Sequence, residues 1–208
     1  TGVDIPVDKV KILSPVPHPN KIIGVGLNYK NHVKEWAEKT NQSLKQIIPD
    51  NPIIFLKPPT SRIGQNGEIE LPAESNQVEY EGELAVVIGR ECKNILEKEA
   101  LKFILGYTCS NDITARDIQK KDVQWIRSKG FDTFCPLGPS ITLQKGFEFP
   151  RGISLPITGK ETIIENPDNI NVKTFLNGKK VQDFNTRDMI FSIPKLISFI
   201  SQIMTLYP

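Results

Sequence analysis

The chain has only two histidines and three cysteines in 208 residues, and that scarcity excludes a good deal. With His18 and His32 alone, a histidine-rich metal centre cannot be built. Cys92, Cys109 and Cys135 are odd in number, far apart and free of any CxxC pair, so they read as reduced thiols rather than a disulfide framework or zinc knuckle. No apolar run approaches the roughly 20 residues of a membrane span: those around 22–27 and 196–206 are short or broken by Gly, Ser and Gln. Residues 1–10 carry Asp4, Asp8 and Lys9 with no apolar signal core, so a cytoplasmic or mitochondrial-matrix enzyme is the expectation. Nor is there a surplus of charge: 26 basic against 24 acidic side chains leave +2, which demands no nucleic-acid partner. The GxSxG elbow, the Walker lysine loop and the HExxH helix are missing too. GVG at 24–26 follows an apolar run as dinucleotide loops do, but Tyr29 stands where the third glycine should be, so the phosphate turn is incomplete.

What is present reads as strand-rich. Residues 21–27 and 53–57 predict buried strands, the second stopped by Pro58 and Pro59. Between them, 29–39 predicts a polar helix capped by Asn28. Residues 78–90 predict the strongest strand, alternating Glu and apolar residues at first and wholly apolar later. Asn94 and Glu97 resemble a capping box for a helix to Phe103; 106–110 predicts a strand and 113–122 a short helix. Asn177-Gly178 is a type I′ hairpin signal, and Pro194 suits the start of a closing helix to about Met204. Residues 144–168 show no clear period and read as a surface excursion.

The carboxylates carry the chemistry. Glu79, Glu81 and Glu83 alternate along one predicted strand, so they fall on one face about 7 Å apart. Three anions on one face repel unless a cation sits among them, and carboxylate oxygens alone suit Mg²⁺, Mn²⁺ or Ca²⁺ rather than zinc. A solvated acidic edge would show the same pattern. Asp112, at the end of a second strand and ahead of Thr114, Arg116 and Asp117, could complete a three-carboxylate site. His32 and Glu35 lie three apart on the predicted helix, where the carboxylate can orient the imidazole as a general base; two solvated neighbours would look alike. Lys129 is equally open between a surface charge and a site lysine.

Together these segments resemble the fumarylacetoacetate hydrolase (FAH) family. The resemblance rests on GLNYKNHVKE (26–35), PIIFLKPPTS (52–61), VEYEGELAVVIG (78–89), GYTCSNDITARDIQ (106–119) and KGFDTFCPLGP (129–139), in family order, supported by FLNGKKVQDFNTRDMIF (175–191). It covers nearly the whole chain from about residue 22, and FDTFCPLGP is most similar to the branch called FAH domain-containing protein 2. The resemblance implies an α+β fold, a mixed β-sheet roll with short peripheral helices, commonly assembled as a homodimer. It implies Glu81, Glu83 and Asp112 as metal ligands, Mg²⁺ first with Mn²⁺ or Ca²⁺ as substitutes, and Glu79 as a lining residue. It further implies a His32–Glu35 dyad with Lys129 as catalytic residues, Tyr29, Arg116 and Gln119 as substrate-binding, and only a lining role for Lys57.

The implied partner is a small 2-oxo acid or 1,3-dicarbonyl, with no membrane or nucleic acid. The implied reaction is acylpyruvate- or fumarylacetoacetate-type C–C hydrolysis, or oxaloacetate tautomerisation or decarboxylation, through a metal-stabilised enolate. Alternatives are a 2-hydroxydienoate isomerase or hydratase of aromatic catabolism, and a catalytically silent FAH-fold binding protein. One departure stands out: family members continue past the closing helix with a PGDVIxTGTPxG-like segment whose threonine meets substrate, whereas this sequence ends at Leu206-Tyr207-Pro208. The expectation is a single catalytic domain over 1–208 that lacks that segment.

Overall fold

The computed structural model describes residues 4–31, 33–34, 37, 43–149 and 163–208. The first apolar run becomes β1 (Ile22–Gly26), antiparallel to β2 (Ile53–Lys57), with Ile22 opposite Lys57 and Gly24 opposite Phe55. The GVG motif here serves packing. A Cβ on Gly24 would lie 2.1 Å from the Phe55 ring, and one on Gly26 2.4 Å from the Trp125 ring, so both glycines make room for aromatic faces. Between these strands the described residues Lys30, Asn31, Val33, Lys34 and Ala37 are helical, and α1 (Leu44–Ile47) follows. Asn28 does not act as the expected cap. Its side chain joins β1 to the loop before the closing helix, donating to the Phe191 carbonyl at 3.0 Å and accepting from the Phe191 N–H at 2.8 Å.

After β3 (Arg62–Ile63), the long strand expected over 78–90 is interrupted. It forms β4 (Val78–Glu79) and β5 (Gly82–Ile88), and the two halves find different partners. β5 pairs antiparallel with β6 (Ile104–Asn111), while β4 pairs with β7 (Thr114–Ala115). The break has a specific cause: the Asn111 side chain takes the Glu81 N–H at 2.9 Å, and the Asp112 N–H donates to the Glu81 carbonyl at 2.8 Å. Helix formation in 113–122 is confined to α2 (Arg116–Gln119), because Thr114 and Ala115 are drawn into the pairing with β4. α3 (Ile126–Lys129) leads into β8 (Cys135–Gln144).

The main sheet runs β3-β8-β6-β5, and β9 (Ile163–Ile164) also pairs with β8. The β3–β8 and β8–β9 pairings are parallel and the other two antiparallel, so the sheet is mixed and the fold is α+β. Of the expected surface excursion over 144–168, residues 150–162 lie outside the described residues, while 144 belongs to β8 and 163–164 to β9. β10 (Asn171–Leu176) and β11 (Lys179–Asn185) form the hairpin that Asn177-Gly178 announces, with φ of 50° and 76° at the turn, as a type I′ geometry requires.

Helix α4 (Ile193–Ile203) closes the core, opened by Ser192, whose side chain accepts the Lys195 N–H, with Pro194 in its first turn. Its buried Ile193, Ile197 and Ile200 recur at helical spacing and pack with Ile95, Ile104, Tyr107 and Leu206. The expected capping box at Asn94 does not form. Residues 97–103 make a 3₁₀ helix preceded by Leu96, while the Asn94 N–H donates to the Ser201 carbonyl and the Ser198 hydroxyl to the Ile95 carbonyl, tying this turn to α4. Among the described residues no helix is long and apolar enough to cross a membrane.

Candidate active site

The corner at which β6 passes into β7 brings the acids together. Glu81 follows β4, Glu83 lies on β5 opposite Ser110, and Asp112 comes directly after β6. The Asp112 N–H to Glu81 carbonyl bond couples two of the three backbones. One carboxylate oxygen from each of Glu81, Glu83 and Asp112 lies within 4.8 Å of the others. Such an all-carboxylate oxygen set fits a hard divalent cation such as Mg²⁺, Mn²⁺ or Ca²⁺. Glu79 is turned away from this set and pairs with Arg116 instead.

Three cationic side chains surround the acids. Lys129, the last residue of α3 and only 2% exposed, donates to Asp112 Oδ2, to Glu81 Oε2 at 3.1 Å and to Thr114 Oγ1 at 2.8 Å. Its ammonium stands 4.9 Å from the centre of the Phe55 ring, which Trp125 meets edge-on at 5.6 Å. Lys57, at the end of β2, donates to Asp112 Oδ1 at 2.5 Å and to the Ile113 carbonyl at 3.3 Å. Arg116 donates through Nη2 to Glu81 at 2.5 Å, through Nε to Glu79 at 2.9 Å and through Nη1 to Gln119 at 2.5 Å.

These contacts set the charges. Burial works to raise Glu81, but Lys129 and Arg116 prevail and hold it below the usual carboxylate range. Burial likewise opposes, and the Arg116 and Gln77 hydrogen bonds overcome, the shift at Glu79, which also falls. Glu83 goes the other way. Burial, with the charges of Asp112 and Glu81 beside it, pushes its carboxyl well above the usual range, and among the described residues it makes no hydrogen bond or ion pair. Tyr29, whose ring meets Phe184 at 4.8 Å, has its phenol raised by burial and by the nearby Glu83 and Asp188. A cavity of about 260 Å³ opens beside the triad, and its lining includes Tyr29, Lys57, Glu83 and Asp112 together with apolar residues of β1, β5 and α4.

The structure therefore brings Tyr29, Glu81, Glu83, Asp112, Arg116, Gln119 and Lys129 into one neighbourhood; His32 and Glu35 lie outside the described residues. Sequence reasoning gave Lys57 only a lining role, named Thr114 without a role, and passed over Asn111. A lysine inside an apolar strand was the available signal, since a buried ammonium needs a carboxylate partner.

Comparison with known proteins gives the family. Residues 21–208 match the family described as fumarylacetoacetate (FAA) hydrolase C-terminal. The chain belongs to the fumarylacetoacetate hydrolase family. It is 45% identical over 205 residues to an uncharacterized protein of Archaeoglobus fulgidus, covering 99% of this chain and 70% of that one. It is 40% identical to the mitochondrial oxaloacetate tautomerase Fahd2a of Rattus norvegicus, covering 98% of this chain but only 58% of the rat protein. Among solved structures, the 5-carboxymethyl-2-hydroxymuconate delta-isomerase of Mycobacterium smegmatis superposes with a TM-score of 0.78 at 40% identity, covering 100% of this chain and 71% of that one. The chain is thus an FAH-family enzyme, and its relatives include tautomerases and isomerases.

Proposed function

We propose that this FAH-family chain catalyses keto–enol proton transfer on small 2-oxo acids of the oxaloacetate or acylpyruvate type, with Mg²⁺ at Glu81, Glu83 and Asp112. The observation that carries the reading is the all-carboxylate set within 4.8 Å, with a buried lysine against it. A divalent ion there would supply a Lewis acid for the adjacent oxygens of a 2-oxo acid. The remaining work belongs to the side chains. Lys129 presents an ammonium where negative charge develops on a substrate oxygen. His32, oriented by Glu35, is assigned the proton, taken from carbon in tautomerisation or from water in hydrolysis. Tyr29 lines the cavity. Arg116 donates to Gln119 through Nη1, which holds the two side chains together as the pair assigned to substrate binding. The same reading takes the enzyme to be a homodimer, which sedimentation of the purified protein tests.

The 40% identity to the Mycobacterium smegmatis isomerase favours a second reading, a 2-hydroxydienoate isomerase using the same enolising residues. Turnover of enol-oxaloacetate, acetylpyruvate and a 2-hydroxydienoate, each with Mg²⁺ and after chelation, separates them: the substrate consumed names the reaction. Indifference to all three overturns the proposal and favours a silent binding protein.

A further inference from the structure

We propose that Lys129 is a built-in placeholder cation, whose ammonium occupies the gap between Glu81 and Asp112 that a divalent ion would fill and must leave it when the ion arrives. The inference rests on the metal reading of the triad. The two buried lysines of the site are not equivalent. Lys57 touches Asp112 through Oδ1 and the backbone through the Ile113 carbonyl, and makes no ion pair with Glu81 or Glu83. It props one acid from the side. Lys129 bridges two acids, reaching Asp112 through Oδ2 and Glu81 through Oε2. Those two residues supply two of the three oxygens that lie within 4.8 Å.

An ion at about 2.0–2.6 Å from oxygens of both acids and an ammonium already hydrogen-bonded between the same two carboxylates exclude one another by volume and by charge. The placeholder also has a structural use. Without a cation between them, the half-buried Glu81 and the buried Asp112 would face each other as close like charges. The ammonium also has partners outside the triad: the Phe55 ring lies 4.9 Å from Nζ and offers a cation–π surface, and Thr114 Oγ1 on β7 holds it at 2.8 Å.

Mn²⁺ binding, read from the electron-paramagnetic-resonance signal of free Mn²⁺, tests this on the wild type, Lys129→Gln and Lys57→Gln. Removing a competing positive charge should tighten Mn²⁺ about tenfold in Lys129→Gln, whereas Lys57→Gln, which loosens Asp112, should bind no tighter than wild type. A second measurement needs no variant. Reductive methylation followed by peptide mass spectrometry should show Lys129 labelling rise when wild-type protein is saturated with Mn²⁺. Flat labelling at saturation overturns the placeholder, whether or not the variant folds, and so does a folded Lys129→Gln protein whose affinity is unchanged or weaker. Failure of the wild type to bind Mn²⁺ at all overturns the metal reading beneath it, so the two failures are distinct.

Discussion

The ammonium of Lys57 donates to Asp112 Oδ1 at 2.5 Å across fifty-five residues of sequence, in a pair whose side chains are only 3% and 4% exposed. It ties the end of β2 to the corner after β6, and so joins the two-stranded β1–β2 unit to the main sheet beneath the carboxylates. Removing one partner of such a pair leaves an under-compensated buried charge. Lys57→Met should therefore cost about 3 kcal/mol or more in urea unfolding. A loss below about 1 kcal/mol would mean that Lys129 alone neutralises Asp112.

Glu83 is the triad member with opposing demands on it. It has no ion-pair partner among the described residues, and burial beside Asp112 and Glu81 disfavours its charge. Glu83→Gln should thus leave metal-free stability equal or higher, while weakening divalent-ion affinity by about tenfold or more. Melting temperatures with and without Mg²⁺ check both signs. A variant that melts lower without metal and keeps its Mg²⁺ response contradicts this account of the site.

Much of this is legible in the sequence. The Asn177-Gly178 hairpin, β1, β2 and the apolar half of β5 follow from local pattern alone, because alternation and turn chemistry act over a few residues. The alternation of Glu79, Glu81 and Glu83 was misleading in one respect. It implied a single face, whereas the Asn111 side chain captures the Glu81 N–H, splits the strand and sends Glu79 to Arg116. That capture joins positions thirty residues apart, and nothing near residue 81 announces it.

Capping was the other weak point. Asn28 and Asn94 both sit where caps belong, yet long-range backbone partners on Phe191 and Ser201 claim them. Lys57 and Lys129 show the same limit: local pattern leaves each open, and the family resemblance names Lys129 but not the contact with Asp112 that the fold makes for both.

The α2 turn carries a pH-dependent contribution. Asp117 accepts the Ser75 hydroxyl at 2.6 Å, then the Asn76 and Ile118 N–H groups at 3.0 Å each, and these bonds lower its pKa from 3.8. A carboxylate whose folded pKa is depressed contributes fully above the unfolded value and loses that contribution as pH falls through the folded one. The melting-temperature gap between wild type and Asp117→Asn should be widest at neutral pH and narrow below about pH 3.8. A gap that widens on acidification contradicts the assignment.

The thiols should differ sharply. Cys109 is exposed, while Cys92 and Cys135 are buried. Burial, opposed by Lys57, still lifts the Cys135 thiol to about 11, and burial also raises Cys92. Since the thiolate is the reactive form, a thiol-disulfide reagent at pH 8 should modify Cys109 alone in the folded protein and all three after unfolding. Rapid native labelling of Cys135 would show that the wall beside Lys57 and Asp112 is open.

On the proposed function, the carboxylate triad serves metal-dependent enolisation of a 2-oxo acid. The most direct test is the decay of enol-oxaloacetate with purified protein, Mg²⁺ and, in parallel, chelator or Asp112→Ala. The account predicts acceleration over the buffer rate with Mg²⁺, lost on chelation and lost in the variant. An acceleration that survives both, or a rate equal to buffer with Mg²⁺ bound, would contradict it.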